Sequence, residues 1–386
     1  MTLEIIAAAT LAIWLYLLLA RGWFWRARER DDANPPTLPA IWPSVVAVIP
    51  ARDEEENIRE AIGSLLRQDY PGSFSIVLID DDSRDGTAQA AREAAQAAQA
   101  DDRLTVLRGQ PLPKGWTGKL WAMKQGSEAA ALSPSPDYLL LTDADIVYSP
   151  DALKRLVARA QAGDLVLTSR MVKLRCESFA ERALIPAFVF FFALLYPFAW
   201  VNRRDRATAA AAGGCMLVRR DALQQAGGIE TIRGALIDDC ALAQRLKRIG
   251  PIWLGLTQNV HSIRAYPRLG DIRRMVSRSA YAQLRYSPLL LAGTLTGLAL
   301  TYLAPPLLAL FARGMPQALG ALAWVLMALS FQPVLRFYRR SPLWGLALPA
   351  IALLYMAFTL DSAYQHVRGR GGSWKGRVQA NVSELR

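Results

Sequence analysis

Hydrophobic and polar positions fall into three regimes along the chain. Leu3–Ala20 is almost wholly apolar, carries Glu4 as its one charge, and is followed by Arg21, Arg26, Arg28 and Arg30. A run of that length with a basic flank predicts a short membrane-spanning helix. A cleaved signal peptide would carry Lys or Arg ahead of its apolar run, whereas here the positive charges come after it. The positive-inside rule then leaves the amino terminus outside and the chain from Arg21 onward in the cytoplasm. Asn34–Pro43 reads as a Pro-rich linker.

From Ser44 the pattern becomes strand, polar loop and helix in repetition. Val45–Ile49, Phe74–Ile79, Tyr138–Thr142 and Leu165–Thr168 are short apolar runs, each ending in a polar loop. Helical stretches lie between and after them, at Glu54–Gln68, Thr87–Ala98, Trp121–Ala131 and Asp151–Ala160. This alternation predicts a parallel α/β sheet, and such sheets bind ligands at the carboxyl ends of their strands.

After Ser287 the chain turns apolar again. Pro288–Ala312, Gln317–Leu335 and Pro342–Leu360 are separated by Arg313 and by Arg336, Arg339 and Arg340, and read as two or three membrane helices. If all three cross, the tail with Arg368, Arg370, Lys375 and Arg377 ends outside, against the charge rule. A re-entrant stretch, or a helix broken at Pro305–Pro306, would remove the conflict. Ala183–Val201, loaded with Phe188, Phe190, Phe191, Phe192, Tyr196 and Trp200, fits an interfacial helix and a buried core helix equally well. The expected divisions are therefore a membrane helix at 1–21, a linker at 22–43, an α/β domain at 44–287, membrane helices at 288–362 and a basic tail at 363–386.

Composition supports a membrane protein. Of 386 residues 52% are hydrophobic, mean hydropathy is +0.15, and the formal net charge is +12. With apolar runs flanked by Arg, the basic excess points to a lipid surface rather than to nucleic acid. Cys176, Cys215 and Cys240 have no CxxC spacing, which argues against a disulfide framework or zinc site and for a reducing compartment. Two histidines far apart, His261 and His366, make no metal cluster.

Three acidic clusters carry candidate chemistry. Leu78–Thr87 holds Asp80, Asp81, Asp82 and Asp85. Carboxylates at a strand end accept hydrogen bonds from a ribose hydroxyl or a base N–H, while Gly86 permits the turn and Thr87 starts the next helix. A solvated capping turn has the same composition, so this loop does not decide alone. Next, Leu139–Asp145 ends in Asp143-Ala144-Asp145. Two carboxylates at i, i+2 can hold one hard cation that bridges phosphate oxygens and stabilises a departing diphosphate. Last, Asp238-Asp239 opens the helical stretch Ala241–Ile249. A carboxylate there is ordinarily a cap, and in an enzyme that activates a hydroxyl it is a general base. The doublet fits one cap and one base, and the spacing leaves open which is which.

These clusters, with further segments in order, resemble family 2 glycosyltransferases. Pro50–Ile58 is similar to their P-A-x-N-E opening, with Asp53 replacing the usual Asn. Asp80-Asp81-x-Ser83-x-Asp85-Gly86-Thr87 is similar to the D-D-x-S-x-D-G-T nucleotide loop, and Gly118-Lys119 with Ala122 and Gly126 to G-K-x-x-A-x-x-x-G. Gly213–Arg220 with Gly227-Gly228 resembles the acceptor-side segment, and Asp238-Asp239 stands where the family has Glu-Asp. The matches cover roughly Ser44–Tyr286.

The resemblance implies a GT-A (Rossmann-like) α/β domain with α-helical transmembrane segments and an inverting, single-displacement sugar transfer. In it Pro50, Ala51, Arg52, Glu54, Asp80, Asp81, Ser83, Lys119 and Asp143 bind the donor, with Asp81 at the nucleoside. Asp143 and Asp145 hold a divalent metal, Mn2+ or Mg2+, and Asp239, beside Asp238, is the catalytic base. The implied partners are a nucleotide-sugar donor, UDP-linked, and a membrane lipid acceptor, with no nucleic acid. Processive members carry Q-x-x-R-W after the base. Ile272–Arg278 lacks both Gln and Trp, so one sugar per turnover is expected. Arg273, Arg274 and Arg278 there suit a diphosphate, lipid headgroups or a plain solvated face.

More narrowly, Arg175–Phe179, Ile185–Phe192, Gly234–Leu242 and Gln283–Pro288 resemble bacterial hopanoid-biosynthesis-associated glycosyltransferases. That implies a hopanoid-type acceptor and a multi-pass protein of the bacterial inner membrane with its catalytic domain in the cytoplasm. The rival readings are transfer to a polyprenyl phosphate, ceramide or carotenoid, and a catalytically silent membrane scaffold. A silent scaffold has no physical need for all three acidic clusters. Trp116 and Trp121 flank Lys119 and either shield the donor pocket or pack in the core. Cys240 reads as a small buried hydrophobe. Gly371–Arg377 reads as a membrane-surface anchor without a catalytic part.

Overall fold

The first apolar run forms α1 (Thr2–Leu19). The chain then alternates through β1 (Val45–Ala51), α2 (Glu55–Leu66), β2 (Phe74–Asp80), α3 (Thr87–Ala97), β3 (Leu104–Arg108), α4 (Gly118–Ala130) and β4 (Tyr138–Thr142). β5 (Ile146–Tyr148), α5 (Ala152–Ala162) and β6 (Leu167–Lys173) lead to α6 (Phe179–Leu195) and the short α7 (Phe198–Val201). β7 (Cys215–Arg219), α8 (Arg220–Gln225), α9 (Asp238–Leu246) and β8 (Ile252–Ser262) follow. The last helices are α10 (Leu269–Ser277), α11 (Ala280–Gln283), α12 (Pro288–Leu298), α13 (Ala304–Phe311), α14 (Met315–Phe337) and α15 (Leu348–Val367), before two-residue strands β9 (Ser373–Trp374) and β10 (Arg377–Val378). This computed structural model describes residues 1–33, 35–132, 135–375 and 377–378; Asn34, the first residue of the Pro-rich part of the expected linker, and the tail beyond 378 lie outside the described residues.

Two compact units share the chain. One comprises Glu29–Arg175, Trp200–Ala265 and the part from Ser373, and holds the sheet; the other comprises Met1–Arg28, Cys176–Ala199 and Tyr266–Gly372, and is helical.

In the sheet unit the strand order is β3-β2-β1-β4-β7-β6-β8-β5. β3, β2, β1 and β4 run parallel, so their carboxyl ends share one edge. Every residue of β1 is buried, as a parallel strand covered on both faces requires. Gly126 of α4 makes that cover close, because a Cβ there would meet Val48 Cγ1 at 2.5 Å. The chain moves outward from β1 to β3 and returns to β1's other side at β4, which creates a switch point between β1 and β4. The sheet is mixed rather than purely parallel, since β7 is antiparallel to β4 and β6, and β5 to β8. An apolar run encodes burial and not direction, so this difference was invisible in the pattern. Within the stretch read as linker, Arg30 bridges Leu256, and Asp31 Oδ2 accepts from Thr257 Oγ1 at 2.5 Å.

In the helical unit, three helices are long and apolar enough to cross a membrane: Thr2–Leu19, Pro288–Phe311 and Met315–Phe337. At 24 residues the second covers about 36 Å, enough for a bilayer core. Its Pro305–Pro306 pair does not break it. Proline cannot donate to the preceding turn, so the helix widens into a π turn at Ala299–Leu303, and the Thr301 carbonyl accepts from Trp14 Nε1 at 2.8 Å instead. α15 is not among the three. Its Asp361 accepts from Ser277 Oγ at 2.8 Å and pairs with Arg273, and its Ser362 Oγ accepts from the Tyr281 amide, polar bonds suited to packing on α10 and α11. α6 packs inside this unit, with Phe190 against Phe331 and Phe191 against Tyr355. Its buried Glu181 closes a capping box with Ser178 and accepts from the Tyr266 amide, a structural task for a buried carboxylate.

Candidate active site

At the carboxyl edge of β1 and β2, two polar loops bind each other through local hydrogen bonds. Pro50 and Ala51 pair with Ile79 and Asp80 in the last register positions of the two strands. Beyond them the Asp53 amide donates to Ser83 Oγ at 3.0 Å, the Arg84 amide to Asp53 Oδ1 at 2.8 Å, and the Glu54 amide to Thr87 Oγ1 at 2.8 Å. Asp53 takes φ 49°, a left-handed backbone that Asn and Asp tolerate better than most residues. Asp80 Oδ1 accepts from the Ser83 amide, and Asp85 Oδ1 from the Thr87 amide. Arg52 reaches across, its Nη1 donating to the carbonyls of Asp81 and Asp82 and lying 3.9 Å from the buried Asp81 carboxylate.

The edge of β4 is built differently. Asp143 and Asp145 follow Thr142 directly, and Lys119, one residue into α4, places Nζ 2.9 Å from Asp143 Oδ1 and 3.1 Å from Asp238 Oδ2. Thr117 caps that helix by accepting the Leu120 amide, which fixes where Lys119 emerges. Gly213 stands beside the pair: a Cβ there would lie 3.3 Å from Lys119 Nζ and 3.5 Å from Asp239 Oδ2. Both oxygens of Asp239 accept backbone N–H groups, Oδ2 from Gly213 at 2.9 Å and Oδ1 from Cys240 at 2.7 Å. The carboxylate is therefore oriented.

The electrostatics follow from this crowding. Burial and the adjacent Asp238 push the Asp239 carboxyl up to about 6, against the opposing pull of Lys119 and the two amides. Burial and nearby Asp145 likewise raise Asp143. Lys119 is held protonated: burial opposes its charge, and the attraction of Asp143 and Asp238 more than offsets that.

Asp145 is buried and gathered by residues that the sequence reading passed over. Ser262 Oγ donates to its Oδ2 at 2.7 Å, and Arg264 Nε at 3.1 Å. Arg264 Nη2 also donates to Glu54 Oε1 at 2.5 Å, so one guanidinium ties the β1 loop to the β4 loop. Ser262 ends β8 and Arg264 follows two residues on; the strand's apolar alternation through Ile252, Leu254 and Leu256 was the signal that could have exposed them. Gly109 is a further omission. Its amide donates to the Asp80 carbonyl, and a Cβ there would lie 3.2 Å from Asp81 Cα.

Among the described residues no three His, Cys, Asp or Glu side chains form a ready metal cage. A hard divalent ion that keeps waters and shares phosphate oxygens needs only one or two carboxylates from the protein. Asp143 and Asp145 fit that donor set, and the upward push of Asp145 on Asp143 marks a place where positive charge is favoured. Trp116 and Trp121 pack edge to face against each other, centroids 5.1 Å apart, and Cys240 is buried.

Two family models match the chain: Glycosyl transferase family 2 over residues 46–227 and Glycosyl transferase family group 2 over residues 138–360. An N-acetylglucosaminyltransferase of Rhizobium leguminosarum bv. viciae is 33% identical over 115 residues, 30% of this chain and 24% of that protein. An undecaprenyl-phosphate 4-deoxy-4-formamido-L-arabinose transferase of Pseudomonas fluorescens (strain Pf0-1) is 34% identical over 133 residues, 33% of this chain and 35% of that protein. The matches thus span a quarter to about a third of the length of these relatives. Among solved structures, the mannosyltransferase PcManGT from Pyrobaculum calidifontis in complex with GDP-Man and Mn2+ is similar over 95% of this chain and 99% of that one. Its TM-score is 0.54 and its identity 20%. That likeness shows the GT-A, Rossmann-like fold.

Proposed function

The chain belongs to glycosyl transferase family group 2, and from that premise we propose that it moves a single sugar from a nucleotide-sugar to the hydroxyl of a membrane lipid, with inversion. The observation that carries this reading is the convergence of Asp143, Lys119, Asp238 and Asp239 at the switch point of the sheet. Asp239, oriented by two amides and more basic than an ordinary carboxylate, takes the acceptor hydroxyl proton. The acceptor oxygen then bonds to the anomeric carbon as the bond from that carbon to the diphosphate breaks. Asp81 receives the nucleoside, and Arg52 keeps the loop that carries it in place. A divalent ion held by Asp143 and Asp145, Mn2+ or Mg2+, would supply charge stabilisation to the leaving diphosphate. PcManGT, bound to GDP-Man and Mn2+, supports such a metal here.

The membrane half of the proposal rests on the three candidate spans and on a relative named for undecaprenyl phosphate. Those spans also ease the charge conflict. α1 brings the chain to the cytoplasmic side, and the next two spans carry it out and back, which leaves the basic residues Arg368 and Arg370 on that side too. A polyprenyl phosphate is the rival acceptor that this relative favours. A phosphate oxygen is already ionised near neutral pH and needs little help from a base, whereas a hydroxyl does. The raised, oriented Asp239 supports the hydroxyl, and the hopanoid-type acceptor is its finer form, resting on sequence resemblance. Comparing lipids of cells with and without the gene tests this: loss of one singly glycosylated lipid is expected, and an unchanged lipid profile would sink the proposal.

A further inference from the structure

Resting on the donor reading above, we infer that Lys375 is a ligand of the donor diphosphate, delivered to the sheet unit's site by the carboxy-terminal hairpin. β9 and β10 pair antiparallel, Ser373 opposite Val378 and Trp374 opposite Arg377, which leaves Lys375 at the tip with φ 47°. A left-handed backbone is unfavourable at a residue with a Cβ, so contacts elsewhere must hold the tip in place.

Those contacts all lie on the loop after β1. Lys375 Nζ is 2.9 Å from Glu54 Oε1 and donates to the Asp53 carbonyl at 2.7 Å. The Lys375 carbonyl accepts from Arg52 Nε at 3.3 Å. One hairpin therefore touches Arg52, Asp53 and Glu54 in succession, and Arg52 in turn grips the Asp81–Asp82 backbone. Within the stretch that the sequence presents as a membrane-surface anchor, Lys375 meets the loop after β1.

Charge explains why a lysine waits there. Glu54 is buried and also bonds Arg264, which it shares with Asp145, so two cations serve two carboxylates. A divalent ion arriving at Asp145 turns this local set of Glu54, Asp145, Arg264 and Lys375 positive, beside the acidic corner of Asp143, Asp238 and Asp239. The diphosphate that travels with the ion is the anion that restores the balance. Arg264 is fixed by bonds to both carboxylates, whereas Lys375 has a flexible stem and, among the described residues, pairs with Glu54 alone, so it is the cation able to turn toward phosphate. A lysine that only braced Glu54 would matter for folding and would be indifferent to phosphate.

The test is calorimetric titration of the purified full-length protein, with Mg2+, against UDP and against uridine. Wild type is compared with Lys375→Met and Lys375→Arg. The Met variant is expected to lose about tenfold in UDP affinity with uridine affinity unchanged, and the Arg variant to stay within about threefold of wild type for UDP. Retained uridine binding also shows that the Met variant is folded; if that variant does not fold, Lys375→Gln takes its place with the same expectation. Equal UDP affinity in wild type and the neutral variant, or matching losses for UDP and uridine, overturns the inference. Failure of wild type to bind UDP or GDP with metal overturns the donor reading itself, a different result seen before any variant is made.

Discussion

The two acidic corners of the sheet unit use the same residue type in opposite ways. At the β1–β2 corner, carboxylates accept from amides and hydroxyls of neighbouring turns. Burial tends to raise Asp85, but bonds from Thr87 and the Glu55 amide outweigh it and hold the group below its usual range. At the β4–α9 corner, Asp143 and Asp239 are partly buried beside like charges, and both are raised. Lys119 offsets only part of that repulsion. The first corner is complete as a folded turn, whereas the second is stabilised further by a cation, an acceptor hydroxyl or a proton. Acidity alone does not mark a catalytic site; the partners of each carboxylate do.

Breaking the second corner should therefore cost activity, and breaking the turn that Asp85 closes at the first should cost stability. The largest expected effect is Asp239→Asn: kcat for transfer falls about 10^3-fold or more, while donor affinity stays within about threefold. Retained turnover in that variant would favour a phosphate acceptor. Next, Asp143→Ala should weaken metal-dependent UDP binding about 10^2-fold by calorimetry. Third, kcat/KM should rise about tenfold per pH unit up to an apparent pKa near 6 and then level, because protonated Asp239 cannot act as base. The same raised value makes the native protein hold this proton more tightly than the unfolded chain. Stability then declines as pH rises through roughly 4 to 6, and Asp239→Asn should melt higher than wild type at pH 7. The smallest effect is Asp85→Ala, a cap loss of about 1 kcal/mol by thermal melting with kcat within twofold. Its stabilisation is present above the ordinary carboxylate pKa and disappears as pH falls below it. A Asp85→Ala variant that melts normally but loses turnover would erase the contrast between the corners.

Much of this arrangement was legible because it is local. Strand ends followed by Asp80–Asp81, by Asp143–Asp145 and by the helix-opening Asp238–Asp239 stand within a few residues of the pattern that positions them. The partners that distinguish the corners are not local. Lys119 meets Asp238 from far along the chain, Arg264 joins Glu54 to Asp145, and Lys375 reaches Glu54 from the opposite terminus. No periodicity records such pairings. Strand direction was hidden for a similar reason, since β7 is as apolar as the parallel strands of the sheet and only its tertiary pairing with β4 and β6 shows that it is reversed. In the helical unit, length and hydropathy pointed to crossing helices, and the polar second half of α15 leaves it outside the three, whereas the partners of its Asp361 and Ser362 come from other helices.

The most direct test of the central claim is product analysis by mass spectrometry after incubating the reconstituted protein with Mg2+, membrane lipids and a panel of nucleotide-sugars. The expected result is one sugar added to a lipid hydroxyl by wild type and none by Asp239→Asn. A sugar joined through phosphate, a chain of several sugars, or equal product from the variant would contradict it.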